Sequence, residues 1–206
     1  LRGRDTRATA RGTLALLFHQ LTPLSDKLYL TNFIHEENSM AFNEALIAEL
    51  EAEAKPTRKM LERISVDTWE YKPHEKSMGM KQLALLIAQM FGWIPKMIRI
   101  PVLDFENAEA WFSDAKTTEE LVKILDDNLA DAKETLSQAD EAAMNEIWTM
   151  KNGETLLWEA PKHITIRNTI NHMAHHRGQL SVYMRLNEIP VPSIYGPTAD
   201  DDSFEM

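Results

Sequence analysis

Asn171-His172-Met173-Ala174-His175-His176-Arg177-Gly178-Gln179-Leu180 gathers three imidazoles, a guanidinium and two side-chain amides into one short stretch. Apolar residues on either side keep helical spacing, so the segment reads as the middle of a helix over about 163–187. His172 and His176 are four residues apart and project from one face of that helix, one turn apart. A helix presents two imidazoles to a single divalent ion in this way. The plainer reading makes His175 and His176 solvated or hydrogen-bonded and His172 a satisfied core histidine.

Three further helices are expected upstream. Ala41 to Ile64 keeps Leu46, Leu50, Ala54, Met60, Leu61 and Ile64 near a 3.6-residue period, with Pro56 expected to kink or reset it. A second helix runs from Ser77, read as its cap, to about Arg99, with Leu83, Leu86, Ile87, Met90 and Ile94 as an apolar stripe. After a long connection with buried-looking Phe105, Trp111 and Phe112, Thr117 and Glu120 match a capping box opening a third helix over about 117–137. Ile147–Met150 and Thr155–Trp158 flank an Asn-Gly turn and read as a hairpin. Two short strands make no core alone, so the hairpin is expected as an ornament packing Trp148 or Trp158 on helices. Four long amphipathic helices, with a long crossover between the second and third, predict an all-α four-helix bundle. Metal sites in such bundles lie between facing helices.

Composition narrows the chemistry. The chain has 206 residues, 44% of them hydrophobic, enough for one core and a single domain. It has no cysteine, which excludes disulfides, thiolate metal sites and a cysteine nucleophile. A net charge of −10 argues against nucleic acid as a partner, and no apolar run is long enough to span a bilayer. A cytoplasmic location is expected. The first 39 residues carry five basic and four acidic groups, against 17 and 28 in the remainder. With Leu14-Ala15-Leu16-Leu17-Phe18 they weakly suggest a transit or export signal, but no small-residue cleavage site follows. Residues 1–39 are therefore read as a non-native or disordered extension ahead of a start at Met40, and residues 40–206 as the bundle domain.

The histidine helix and its sequel, Tyr183-Met184-Arg185-Leu186-Asn187 and Val191-Pro192-Ser193-Ile194-Tyr195-Gly196-Pro197, resemble the C-terminal signature of the DinB family, the DinB/YfiT-like metalloenzymes. Ser77-Met78, Leu83-Ala84, Ile87 to Trp93 and Met40-Ala41-Phe42 extend the resemblance over about residues 40–200. It implies an up-down-down-up bundle, often a homodimer, holding a divalent ion such as nickel or zinc on three histidines, one from the second helix and two from the fourth. Some relatives are thiol S-transferases or isomerases using mycothiol, bacillithiol or glutathione on a small-molecule substrate.

The fourth-helix ligands carry over to His172 and His176, whereas the second-helix histidine falls on Leu86, which coordinates nothing. Gln89, His74, His163 and Glu75 are the candidates to complete the site. A metal there would lower the pKa of a bound thiol or water, and with no cysteine the thiol must come from a cofactor. His175 and Arg177 are the candidate catalytic groups, with Gln179, Asn168 and Asn171 as orienting neighbours. Gly178 is read as marking a close helix contact. The competing expectation is a non-catalytic, stress-related structural or interaction protein that keeps the histidine helix as a hydrogen-bond network.

Overall fold

The computed structural model describes residues 24–106 and 113–203, with side chains from Phe42 onward. The chain divides into two compact units, residues 1–41 and 42–206. Helix α1 (Leu24–Arg63) runs through their boundary, so helical backbone is present well upstream of Ala41. The reading of residues 1–23 lies outside the described residues, as do Trp111 and Phe112.

Pro56 lies inside α1, and the helix continues past it to Arg63. Proline lacks the N–H that would bond the carbonyl of Ala52 and crowds that turn. The neighbouring carbonyl of Glu53 accepts the Thr57 hydroxyl at 2.7 Å and the Arg177 guanidinium at 2.8 Å. Side chains thus add bonds at the carbonyl next to the one that the proline leaves without its N–H donor.

A single 3-10 turn (Val66–Thr68) leads to α2 (Met80–Arg99). Ser77 is not its cap: Gly79 holds that position with no side-chain bond, and Pro95 sits inside the helix without ending it. Helix α3 (Thr118–Gln138) starts as the capping box predicts, the Glu120 N–H donating to Thr117 Oγ1 at 3.2 Å. The reciprocal bond shifts by one residue, the Glu120 carboxylate accepting from Lys116 N–H at 2.7 Å. After the short α4 (Glu141–Asn145) come two strands, then α5 (Lys162–Leu186).

The hairpin is part of a three-stranded sheet rather than an isolated ornament. Strand β1 (Val102–Asp104) pairs in parallel with β2 (Ile147–Asn152), which pairs antiparallel with β3 (Thr155–Pro161). Asn152 ends a strand, so Gly153 and Glu154 form the loop, with Gly153 at φ +58°. Glycine at positive φ in the first loop position is the II′ pattern. Trp148 is buried against the core as expected, whereas Phe105, expected inside, is exposed.

Inter-helix contacts fix the directions. Along α2 and α5, Ile98 meets Lys162, Trp93 meets His172 and Met78 meets Tyr183, so these two helices are antiparallel. Phe42 meets His163 and Glu53 meets Arg177, making α1 parallel to α5. Asn43 reaches Ala139 while Arg58 pairs with Asp126, making α1 antiparallel to α3. One core takes Leu50 and Met60 of α1, Ile87 and Phe91 of α2, Leu125 of α3, and Met173 and Leu180 of α5. Lys162, buried at the start of α5, donates to the Ile98 carbonyl at 2.9 Å and pairs with Glu146 at 2.6 Å, tying two helix ends together. Among the described residues no helix is long and apolar enough to cross a membrane.

Candidate two-histidine site

The i, i+4 spacing in α5 brings His172 and His176 together: their Nε2 atoms lie 2.8 Å apart, with ring centroids at 4.5 Å. His176 is buried; His172 is exposed on one side and meets the Trp93 ring of α2 at 6.3 Å. Gln179, one turn further along, accepts from His176 Nδ1 at 2.8 Å and donates its amide to His175 Nε2 at 3.1 Å. The chain of bonds closes when His176 carries its proton on Nδ1 and His172 donates from Nε2. Burial first, then the neighbouring imidazoles of His176 and His175, hold the His172 pKa below its ordinary value. Were the His172 proton carried on Nδ1 instead, the two Nε2 lone pairs would face one another as two ligands to one cation do, and Gln179 already holds His176 as an outer partner holds a ligating ring.

The other side of the site is α2. Gln82, Leu85, Leu86 and Gln89 share one of its faces and line a cavity of about 470 Å³, with Trp69, Met78, Lys81 and Asp114 around it. One turn beyond Gln89, Trp93 reaches His172, so cavity and histidine pair lie along one stripe of α2. Leu86 is half-buried on that stripe. Of the candidates for a third ligand, Glu75 is exposed and the other three make bonds elsewhere. Gln89 donates its amide to the Ser113 carbonyl at 2.7 Å, His74 accepts from Lys76 N–H at 3.1 Å, and His163 bonds the Met144 carbonyl at 3.1 Å. Among the described residues no group of three or more His, Asp or Glu is placed to hold a metal ion. A resident three-ligand centre therefore does not fit this residue set: it supplies two nitrogens and a leucine.

Arg177 is not beside the imidazole pair. It faces α1, only 1% exposed, donating to the Glu53 carbonyl at 2.8 Å and Thr57 Oγ1 at 3.0 Å and pairing with the Glu53 carboxylate and the Tyr195 hydroxyl. Tyr195 donates in turn to Glu53, and its ring lies 5.1 Å from the guanidinium. Burial, ahead of the opposing Arg177 charge, raises the Tyr195 pKa, which keeps the phenol a donor. Glu53, Thr57 and Tyr195 went unnoticed in the sequence as members of this knot; the one signal was Pro56, which marks a disturbed turn of α1.

Gly178 has no neighbour within 4 Å of where a Cβ would sit, so the close helix contact expected there is absent. That contact is at Gly92, where a Cβ would collide with Asn128 of α3. Asn168 and Asn171 are exposed.

Residues 37–203 match the model of the DinB family. The fold is similar to a crystal structure of a DinB-like protein from Bacillus cereus, with TM-score 0.58 and 20% identity over 74% of this chain and 97% of that one. A DinB-like protein from Bacillus subtilis gives TM-score 0.57 and 20% identity over 76% and 99%. Among curated proteins no relative matches the chain.

Proposed function

This chain belongs to the DinB family, and from that premise we propose that it is a non-catalytic member that binds a small molecule and keeps no resident metal. The feature that carries this reading is Leu86, an apolar side chain in the cavity wall at the position where the family resemblance expects the second-helix histidine. The cavity suits an amphipathic organic ligand. Leu85, Leu86 and Met78 supply apolar surface, and Gln82 and the Lys81 ammonium supply polar contacts. Lys81 is itself held 5.0 Å over the Trp69 ring and ion-paired to Asp114 at 2.7 Å, which fixes its position. The histidines then form a hydrogen-bonded cluster beyond the cavity, with His172 against the Trp93 ring. The helix directions described above support the up-down-down-up four-helix bundle as the frame.

Convergence of the two Nε2 atoms favours a second reading, a labile divalent ion completed by external ligands such as the thiol of a small cofactor. Metal analysis of untagged protein separates the two. The first reading expects substoichiometric zinc and nickel, and stoichiometric metal retained by a Leu86→His variant. Stoichiometric metal in the parent chain, lost on His172→Ala/His176→Ala, would overturn it. Filling the cavity with Leu85→Trp should abolish binding of an anionic aromatic probe such as anilinonaphthalene sulfonate; undiminished fluorescence enhancement would remove the cavity from the proposal.

A further inference from the structure

The first turn of α2 and its approach, Met78, Gly79, Lys81 and Gln82, lie in the cavity wall. This helix start lacks the usual provisions. Its cap, Gly79, makes no side-chain bond, and no acidic residue stands in the first turn. The Met80 and Lys81 N–H groups donate to the Tyr71 and Trp69 carbonyls, at 2.9 and 3.1 Å. The positive end of a helix dipole favours an anion and disfavours cations, yet two lysines are placed there. Lys81 is in the first turn with its ammonium over the Trp69 ring, and Lys72, also in the cavity wall, has its Cε 3.7 Å from where a Cβ on Gly79 would sit. A third donor stands beside them. Trp69, 5% exposed and in the same wall, has a buried indole N–H with no acceptor among the described residues. A buried donor left without a partner costs stability that a bound acceptor would recover. The acids of the wall, Glu70 and Asp114, are both exposed. Asp114 holds the Lys81 ammonium at 2.7 Å with 71% of its own side chain in water.

We infer that the cavity takes an amphipathic organic acid, its carboxylate seated at the first turn of α2 between Lys72 and Lys81, where it accepts from the Trp69 N–H, and its apolar body along Leu85 and Leu86. The inference rests on the small-molecule reading above and adds the ligand's charge and the direction in which it lies. Asp114 then becomes a built-in competitor, because its carboxylate holds the ammonium that the ligand needs. An exposed ion pair is weak enough to yield, at a cost to the ligand of up to about fivefold in affinity. A cationic ligand fares worse: it finds two exposed carboxylates, one of them already neutralised by Lys81, and two ammonium groups that repel it.

Calorimetry with three probes that share one apolar body tests this: naphthoate, naphthalenemethanol and naphthylmethylamine. Charge-assisted bonds, net of displacing Asp114, should favour naphthoate over the alcohol by about tenfold, and over the amine by more. Lys81→Met, which keeps an unbranched stem over Trp69 and removes the charge, should bring naphthoate down to the affinity of the alcohol, whereas Lys81→Arg should retain the preference. Asp114→Asn should raise the naphthoate affinity by about two- to fivefold and leave that of the alcohol where it is. Binding of none of the three probes overturns the inference together with the small-molecule reading. Equal binding of acid and alcohol, or a preference for the amine, overturns the inference alone. So does an Asp114→Asn variant that binds naphthoate no better than the parent.

Discussion

The two flanks of α5 use neighbouring residues of one motif in opposite ways. Towards α1, Arg177 is tied to backbone, hydroxyl, carboxylate and phenol on two other segments of the chain, and is almost wholly withdrawn from water. Towards α2, the hydrogen bonds of His172, His175 and His176 run among themselves and to Gln179, all within α5. The guanidinium joins parts of the fold; the imidazoles reach another helix only through the Trp93 ring beside His172. Adjacency in sequence therefore says little about shared purpose, because residues 176 and 177 leave the helix about 100° apart and meet different neighbours.

The largest effect should come from cutting the knot. Arg177→Ala leaves the Glu53 carboxylate, 13% exposed, without its cation. Removing one partner of a buried pair costs about 3–5 kcal/mol, which urea denaturation of the variant would read directly. A loss near that of an exposed ion pair would mean that Tyr195 and Thr57 satisfy Glu53 alone. The matching change on the other flank, His172→Ala/His176→Ala, breaks bonds internal to one helix and should cost about 1–2 kcal/mol. Equal losses on the two flanks would erase the contrast.

Legibility in the sequence divides along the same line. The i, i+4 histidine pair, the Thr117–Glu120 cap and the hairpin were readable because each is written within a few residues. Strand β1 was not: Val102-Leu103-Asp104 has no strand pattern of its own and exists by pairing with residues Thr149, Met150 and Lys151. Arg177 was seen, but its acceptors Glu53 and Thr57 lie 124 and 120 positions away on α1, and no local spacing encodes those contacts. Phe105 shows the converse limit. Its hydrophobicity suggested burial, yet it follows an edge strand just three residues long and stays in water.

Glycines sharpen the comparison at a smaller scale. Gly92 admits Asn128, whose amide donates to the Ala88 carbonyl at 3.1 Å, so α2 and α3 depend on the missing side chain. Gly178 admits nothing. Replacing it by alanine relieves the backbone entropy of a glycine inside a helix without meeting any atom. Gly178→Ala should therefore stabilise the protein by up to about 1 kcal/mol, visible as a raised Tm. A lowered Tm would show that something approaches this face of α5.

The smallest effect concerns the segment that carries Tyr195 to the knot. Asp201 accepts from the Ser203 hydroxyl at 2.6 Å and from the N–H groups of Ser193 and Ser203, each at 3.1 Å. These bonds, the hydroxyl first, hold its pKa down to about 2 from an ordinary 3.8. A carboxylate with a depressed folded-state pKa contributes stability that is present above the unfolded value and is lost as pH falls through the folded one. The Ser193 amide resonance should thus hold steady down to about pH 4 and titrate with a midpoint near 2, and Asp201→Asn should abolish that step. A midpoint at 3.8 would mean that the carboxylate makes none of these bonds in solution. Tyr195 would then be held over Arg177 by its own hydroxyl and ring, and the knot would be anchored from α1 alone.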